Sequence, residues 1–206
     1  MKKVYLVRHG ETTHNLENLV QDGTTELTSK GRLQADIVAK RVANLDFTNL
    51  IASDYLRALQ TAEPIEKLTG IKVEPNELFR EIRRPSKFFN KDRNSDEFQQ
   101  YLIDDKNNFG NNEWRHSDEE IFSDSSKRAV EALNYLKNMT GDTVVVSHGH
   151  FIRMLTATVV LDGELLSSEW DKMYKGFIAS NTGITTIVFE DRWRLLNFND
   201  HAHFAE

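Results

Sequence analysis

Three features of the sequence predict an α/β protein with a largely parallel sheet. Short apolar strand patterns alternate with longer helical patterns along the chain. Two of the strands, 4–7 and 143–146, run into the same His-Gly pair. No internal repeat or Pro/Gly-rich linker breaks the alternation.

The first strand is a four-residue apolar run that closes on Arg8-His9-Gly10, the profile of a buried strand. A polar loop follows to Leu27. Thr28 and Ser29 are candidate N-caps of a helix with apolar positions Leu33, Ile37, Val38, Val42 and Leu45. Residues 50–52 read as a second strand. A helix over 55–68 places Leu56, Leu59, Ile65 and Leu68 on one face, with Pro64 as a candidate kink. Gly70 is a natural stop, and 71–73 is expected to be a third strand. Periodicity then fades over 83–116, where Asn, Arg, Asp and Phe accumulate. Such a segment is read as a functional insert, a lid or disorder. A helix over 125–139 turns Ala129, Val130, Leu133 and Leu136 inward. After a Gly141-Asp142 turn, the β-branched strand 143–146 leads into Ser147-His148-Gly149. A helix then runs from His150 or Phe151 to Leu161. A hairpin over 184–189 and 193–198 closes the pattern.

The chain has 206 residues, enough to bury a core without disulfides or structural metals, and one domain is expected. A net charge of −6 argues against a nucleic-acid or anionic-membrane partner. There is no Cys, which excludes thiolate catalysis and Cys-type metal sites. The apolar run at 4–7 is far too short for a secretory signal, and nothing approaches the roughly 18 apolar residues that cross a bilayer. A cytoplasmic protein is expected. The sequence sets no oligomeric state.

In open α/β sheets, ligands bind beyond the carboxyl ends of the strands. Two strand-end His-Gly pairs therefore place two imidazoles at one rim, the first preceded by Arg8. A glycine after each His lets the backbone turn sharply or approach a ligand closely. One such His alone reads as a structural hydrogen bond; two at equivalent positions point to a site.

These residues resemble a known family. Leu6-Val7-Arg8-His9-Gly10-Glu11-Thr12 matches the opening motif of the histidine phosphatase superfamily, in its phosphoglycerate mutase-like branch. Asn15 stands where that family usually has Asn. The match continues through Leu27-Thr28, Gly31, Gln34-Ala35 and residues 53–62 (Ser53-Asp54-Tyr55-Leu56-Arg57-Ala58-Leu59-Gln60-Thr61-Ala62). It ends with Leu78-Phe79-Arg80-Glu81-Ile82 and Val146-Ser147-His148-Gly149. The motifs keep the family order and span nearly the whole chain. The expected architecture is a single three-layer α/β/α domain over 1–206. It has a mostly parallel central sheet and a cap inserted at about 83–116.

The resemblance implies roles. His9 accepts the phosphoryl group, which requires a neutral imidazole with one nitrogen free. Arg8 and Arg57 bind phosphate oxygens, and His148 is a second donor to the transferring group. The helix start after His148 offers further backbone donors. Glu81 protonates the leaving oxygen and later activates water; read alone, it is a surface ion pair beside Arg80, Arg83 and Arg84. Asn15 donates its amide to phosphate, against the plainer reading of a turn residue. Glu11 and Thr12 are motif residues of structural or supporting kind. His150 reads as a partly buried structural side chain, with pocket lining as the alternative. His14 and His116 carry no assignment. His201 and His203 lie in a frayed-looking tail and read as surface. No cofactor and no metal is expected.

The segment from Arg83 to Ser95 has a local charge of +4 and holds Phe88 and Phe89. It reads equally as a solvated loop with two core anchors or as a lid over an anionic substrate. Many members of the family carry a Gly- and Trp-containing stretch soon after the acid. Here Arg83-Arg84-Pro85-Ser86 stands there, so the substrates of better-known members do not transfer. The expected activity is metal-independent hydrolysis of a small phosphorylated metabolite through phosphohistidine. The rivals are a phosphoglycerate mutase, which usually has a longer chain around the cap, and a silent phosphate- or phosphoprotein-binding module.

Overall fold

The computed structural model describes residues 1–163 and 165–204. In chain order its elements begin with β1 (Lys2–Arg8), α1 (Thr13–Leu16), α2 (Ser29–Val42), β2 (Asn49–Ala52), α3 (Leu56–Thr69) and β3 (Val73–Pro75). They continue with α4 (Asp96–Asn107), α5 (Phe122–Asn138), β4 (Thr143–Ser147), α6 (Gly149–Val160), α7 (Ser167–Gly176), β5 (Ile184–Phe189) and β6 (Trp193–Asp200). Among the described residues one six-stranded sheet forms in the order β3-β2-β4-β1-β5-β6. β1 to β4 run parallel, and β5 and β6 add an antiparallel hairpin edge.

The apolar strands are buried on both faces, as parallel strands covered by helices must be. Period-two alternation divides them. Tyr5, Val7, Leu50, Ala52, Val144 and Val146 pack on Val38, Val42, Ala58, Ala62 and Ile65 of α2 and α3. Val4, Leu6, Ile51 and Val145 pack on Ala129, Leu136, Phe151 and Leu155 of α5 and α6. The result is three layers. Each fully buried Val, Leu or Ile contributes about 1.5–3 kcal/mol, so this central ladder is where the fold is most firmly held.

Several expectations need correction. Leu33, Leu68 and Val130 are exposed at 59%, 56% and 36%. The inward faces of α2 and α3 keep the expected Val38, Val42 and Ile65 and add Gly31, Ala35, Ala39, Ala58 and Ala62, whose small side chains let the helices approach the sheet. The third strand begins at Val73, because Gly70 takes the left-handed φ of 74° and residues 71–72 complete the turn. α3 runs through Pro64 without ending. α5 starts at Phe122, where Asp124 accepts the Ile121 amide at 3.2 Å. α1, α4 and α7 stand where no helix was expected. The tail is not frayed: residues Ala202–Phe204 form a 3-10 turn beside α2, and His203 Nε2 lies 3.4 Å from Thr182 Oγ1.

Residues 83–116 hold a short 3-10 turn (Ser86–Phe88) and α4. Phe88, Phe98 and Tyr101 form a separate apolar cluster with Val20. Backbone bonds from Val20 to the Lys91 carbonyl, 3.0 Å, and from Asn90 to the Val20 carbonyl, 2.8 Å, join the segment to the loop after α1.

Candidate active site

β1 and β4 are neighbours in parallel register, with Arg8 opposite Ser147. The residues that follow, His9 and His148, leave the sheet side by side, and their ring centroids lie 5.2 Å apart. The His9 amide donates to the Ser147 carbonyl at 3.0 Å, and Asn181 Nδ2 donates to the His9 carbonyl at 2.9 Å. Both imidazoles are buried. His9 Nδ1 lies 2.7 Å from the Gly10 carbonyl. A carbonyl only accepts, so Nδ1 carries the proton and Nε2 keeps its lone pair. Burial, then the Arg57 and Arg8 guanidinium groups, hold His9 well below the usual 6.5. Burial, then Arg57 and His9, do the same to His148. Both rings are therefore neutral at pH 7.

Arg57 is 2% exposed at the start of α3. Its Nη1 donates to the Asp22 carbonyl at 2.6 Å, while Nε is buried without a partner. Burial lowers it to about 10, which leaves it a cation at neutral pH. Arg8 repeats the pattern: Nη1 reaches the Ala179 carbonyl at 2.6 Å and Nε has no partner. Buried donors without partners are costly unless a ligand satisfies them.

Glu81 lies at the start of α6 rather than in a surface ion pair. Its carboxylate accepts the amides of Ile82 at 3.0 Å, His150 at 3.2 Å and Phe151 at 3.0 Å. Two of the helix-start donors expected to face phosphate are thus used internally. Arg80, the neighbour expected to compete for Glu81, is paired through two bonds with Asp54.

The remaining motif residues are scaffolding. Thr28 Oγ1 caps α2 by accepting the Gly31 amide at 2.9 Å. Gln34 accepts the Glu11 amide and Gln60 the Leu27 amide, each at 2.8 Å. Glu11 pairs with Lys30 at 2.9 Å, and Thr12 caps α1. Asn15 turns its Oδ1 to the Thr12 amide at 3.2 Å, which leaves its Nδ2 for the cavity. Gly10 and Gly31 meet backbone to backbone: a Cβ on Gly31 would stand 2.0 Å from the Glu11 carbonyl oxygen.

A cavity of about 280 Å³ is lined by Arg8, His9, Asn15, Arg57 and Glu81. His148 lies behind His9, against the Tyr55 ring at 5.4 Å. The structure thus brings together every expected site residue. It adds Tyr55, which lay within a matched motif without an assigned role, and Arg153 and Tyr174, which no motif marked. His150 both lines the cavity and is structural, stacked 4.5 Å from Tyr174. His14 lines it as well, with Nε2 on Asn90 Oδ1 at 2.6 Å. The insert divides. Arg83, Arg84, Phe89 and Arg93 line the cavity. Lys87 and Lys91 pair with Glu97 on the surface, and Phe88 is a core anchor.

A doubly covered α/β sheet, with guanidinium groups and a neutral imidazole at the carboxyl ends of its strands, defines an oxyanion-binding protein of the phosphoryl-transfer class. The sequence profile of the histidine phosphatase superfamily (branch 1) matches residues 4–201, and the chain belongs to that superfamily. It is 31% identical over 167 residues to a probable phosphoglycerate mutase GpmB of Erwinia tasmaniensis, covering 78% of this chain and 75% of that one. It resembles the phosphoserine phosphatase of Entamoeba histolytica in complex with 3-phosphoglyceric acid, at 29% identity and TM-score 0.79. That match covers 98% and 99% of the two chains. YhfR of Bacillus stearothermophilus shares the fold at TM-score 0.83 and 24% identity, with 98% and 99% covered. Among the described residues no helix is long and apolar enough to cross a membrane.

Proposed function

We propose that this chain is a metal-independent hydrolase of small phosphate monoesters that works through a phosphohistidine. One observation carries the reading. His9 is neutral, its Nδ1 proton is held by Gly10, and its Nε2 lone pair sits among the free donors of Arg8 and Arg57. A lone-pair nitrogen beside unsatisfied cations is what in-line attack on a phosphoryl group requires.

In the first step His9 Nε2 attacks phosphorus, and the bond to the ester oxygen breaks. Arg8, Arg57, His148 and the Asn15 amide take up charge on the three phosphoryl oxygens. Glu81 gives a proton to the departing alkoxide. In the second step Glu81 takes a proton from water, the water oxygen attacks phosphorus, and the N–P bond breaks. Two guanidinium groups supply the positive charge that a metal otherwise brings. Among the described residues no three His, Asp or Glu side chains gather to hold a metal.

We read residues 1–206 as one domain with a cap at 83–116, because Arg83, Arg84, Phe89 and Arg93 reach the cavity from that segment. A cavity of about 280 Å³ fits a small metabolite. The proposal includes a cytoplasmic location and no nucleic-acid or membrane partner, in keeping with a Cys-free chain of net charge −6.

The test is phosphate release from a panel of small phosphate esters with EDTA present. Turnover of at least one ester, undiminished by EDTA, is expected. No release from any, or loss restored by one added divalent ion, rejects the reading. The resemblance to a probable mutase adds one arm: 2-phosphoglycerate formed from 3-phosphoglycerate without phosphate release would favour mutase action.

A further inference from the structure

His9 and His148 take their places from paired strands, but Glu81 has no such support. It lies in residues 80–85, which belong to no helix or strand, between the 3-10 turns Glu77–Phe79 and Ser86–Phe88. A group that hands a proton to a leaving oxygen must stand within hydrogen-bond reach of it. An irregular segment holds such a position only if neighbouring side chains fix its backbone. The carbonyls and amides around Glu81 show which side chains do so.

Arg128, on α5, donates from Nη1 to the Leu78 and Arg80 carbonyls, both at 2.9 Å. Its Nε and Nη2 fork onto the two oxygens of Glu120, each at 2.7 Å. Glu120 then grips the other side of the acid. Its carboxylate accepts the Arg83 amide at 3.3 Å, and its own amide donates to the Arg83 carbonyl at 2.9 Å. One ion pair thus binds the backbone immediately before Glu81 and two residues after it. The pair is largely buried, with 17% and 11% of the two side chains exposed, so water screens it little. The Arg128 guanidinium also lies 4.0 Å from the centroid of the Phe151 ring, and the Phe151 amide donates to the Glu81 carboxylate at 3.0 Å. Backbone and carboxylate of the acid therefore share one support.

We infer that Arg128 and Glu120 are positioning residues for Glu81: their ion pair fixes the segment on both sides of the acid and so sets its reach to the leaving oxygen. The inference rests on the proposed role of Glu81 and adds what holds that acid in place. Neither residue lines the cavity of His9 and Arg57; both face a neighbouring cleft of about 370 Å³ that Glu81 also borders. Four of the five N–H donors of Arg128 are already committed to Glu120 and the two carbonyls. Its charge also acts on His148, which it helps to keep neutral, after burial, Arg57, His9 and Arg8. That second route ends at the phosphoryl group and is blind to the leaving group. The two routes are therefore separable by changing the leaving group alone.

The test is the ratio of kcat/KM for propyl phosphate to kcat/KM for nitrophenyl phosphate. Each kcat/KM reads the reaction up to departure of the leaving group, and the ratio on one preparation does not depend on how much of it is folded. Arg128→Met should lower the ratio at least about tenfold, because a displacement of about 1 Å costs a positioned group that much or more. Arg128→Lys keeps the charge without the fork and should fall between Met and wild type. In a Glu81→Gln background, Arg128→Met should change the ratio by less than about twofold, since the group it positions is gone. Arg128→Met strands the Glu120 carboxylate, so Arg128→Met/Glu120→Met, which removes both charges, is measured beside it and should show the same fall. Equal losses for both esters would make the pair a purely structural or electrostatic support and overturn the inference. A ratio unchanged from wild type in any of these variants that folds, or a full further fall in the Glu81→Gln background, overturns it as well. Glu81→Gln alone judges the acid: if it leaves the ratio unchanged, the proposed role of Glu81 fails and the inference with it. A lowered ratio there beside an unchanged one in Arg128→Met overturns the inference alone.

Discussion

The His9 and His148 rings stand 5.2 Å apart because Arg8 and Ser147, the residues before them, are direct partners across β1 and β4. Adjacent strands lie about 4.8 Å apart, so the sheet itself sets the spacing of the imidazoles. The loops only turn them. A one-residue slip of either strand would move one ring to the opposite face and dismantle the site.

Replacing His9 tests the nucleophile. His9→Ala should lower turnover by at least about a thousandfold, since it removes the imidazole nitrogen that stands with Arg8 and Arg57. Circular dichroism should stay native. Rapid quench of the wild type in alkaline detergent with ³²P-labelled substrate should trap label on His9 that is stable in base and lost on acid treatment. Near-normal turnover by the variant would end the mechanism.

For Glu81 the informative comparison is between leaving groups. An alkoxide needs a proton as it departs, whereas nitrophenolate hardly does. Glu81→Gln should slow the phosphorylation step for an alkyl phosphate about a hundredfold to ten-thousandfold, and far less for nitrophenyl phosphate. Pre-steady-state bursts read that step alone. Equal losses would mean that Glu81 only shapes the pocket. No loss would reduce it to a cap on the His150 and Phe151 amides.

The pH dependence of stability follows from the buried imidazoles. His9 and His148 are held well below 6.5 in the folded chain, chiefly by burial, and His203 falls to about 4. In the unfolded chain these groups titrate near 6.5. As pH drops below that value, the unfolded chain takes up protons that the folded chain refuses, so stability falls. Urea midpoints should be flat from pH 8 to 7 and decline from pH 6.5 to 5. His148→Gln should flatten that decline. An unchanged slope would mean that His148 is not held neutral.

A fourth prediction concerns a residue without chemistry. The Cβ of Gly31→Ala would fall 2.0 Å from the Glu11 carbonyl oxygen, so backbone must move. The loss should be roughly 1–3 kcal/mol, as for other overpacked sites. Because the displaced strand end carries His9, kcat should fall along with Tm. A variant with wild-type Tm and activity would show that the contact is loose.

The strands and long helices were legible because burial on both faces leaves continuous β-branched runs such as 143–146, and because caps such as Thr28 mark helix starts. The phosphate-binding groups were legible through ordered motifs. The added helices were not. α7 buries only Trp170, and α4 buries Phe98 and Tyr101, so neither shows a full apolar stripe. The spacing of Phe98, Tyr101 and Leu102 was the available signal in the insert. Leu33, Leu68 and Val130 misled because hydrophobicity outweighed size, while the sheet selected the small residues beside them. Arg153 could have been found as a lone charge in an apolar helix. Tyr55 stood inside the 53–62 motif beside Arg57 without a role of its own, and Tyr174 left no comparable mark; only the tertiary fold brings it to the cavity.

Arg8 and His9 lie at the beginning of the chain, yet Ala179 fixes the guanidinium of one and Asn181 fixes the carbonyl of the other. β5, which follows, is also the strand that closes β1 on its open side. On the ribosome, then, the first residues of the site to emerge are among the last to be secured. A nascent chain stalled before this segment has all its motifs but no finished place for a phosphate. A product cut short by even thirty residues, which lacks Ala179, Asn181 and the β5–β6 hairpin, should be inert.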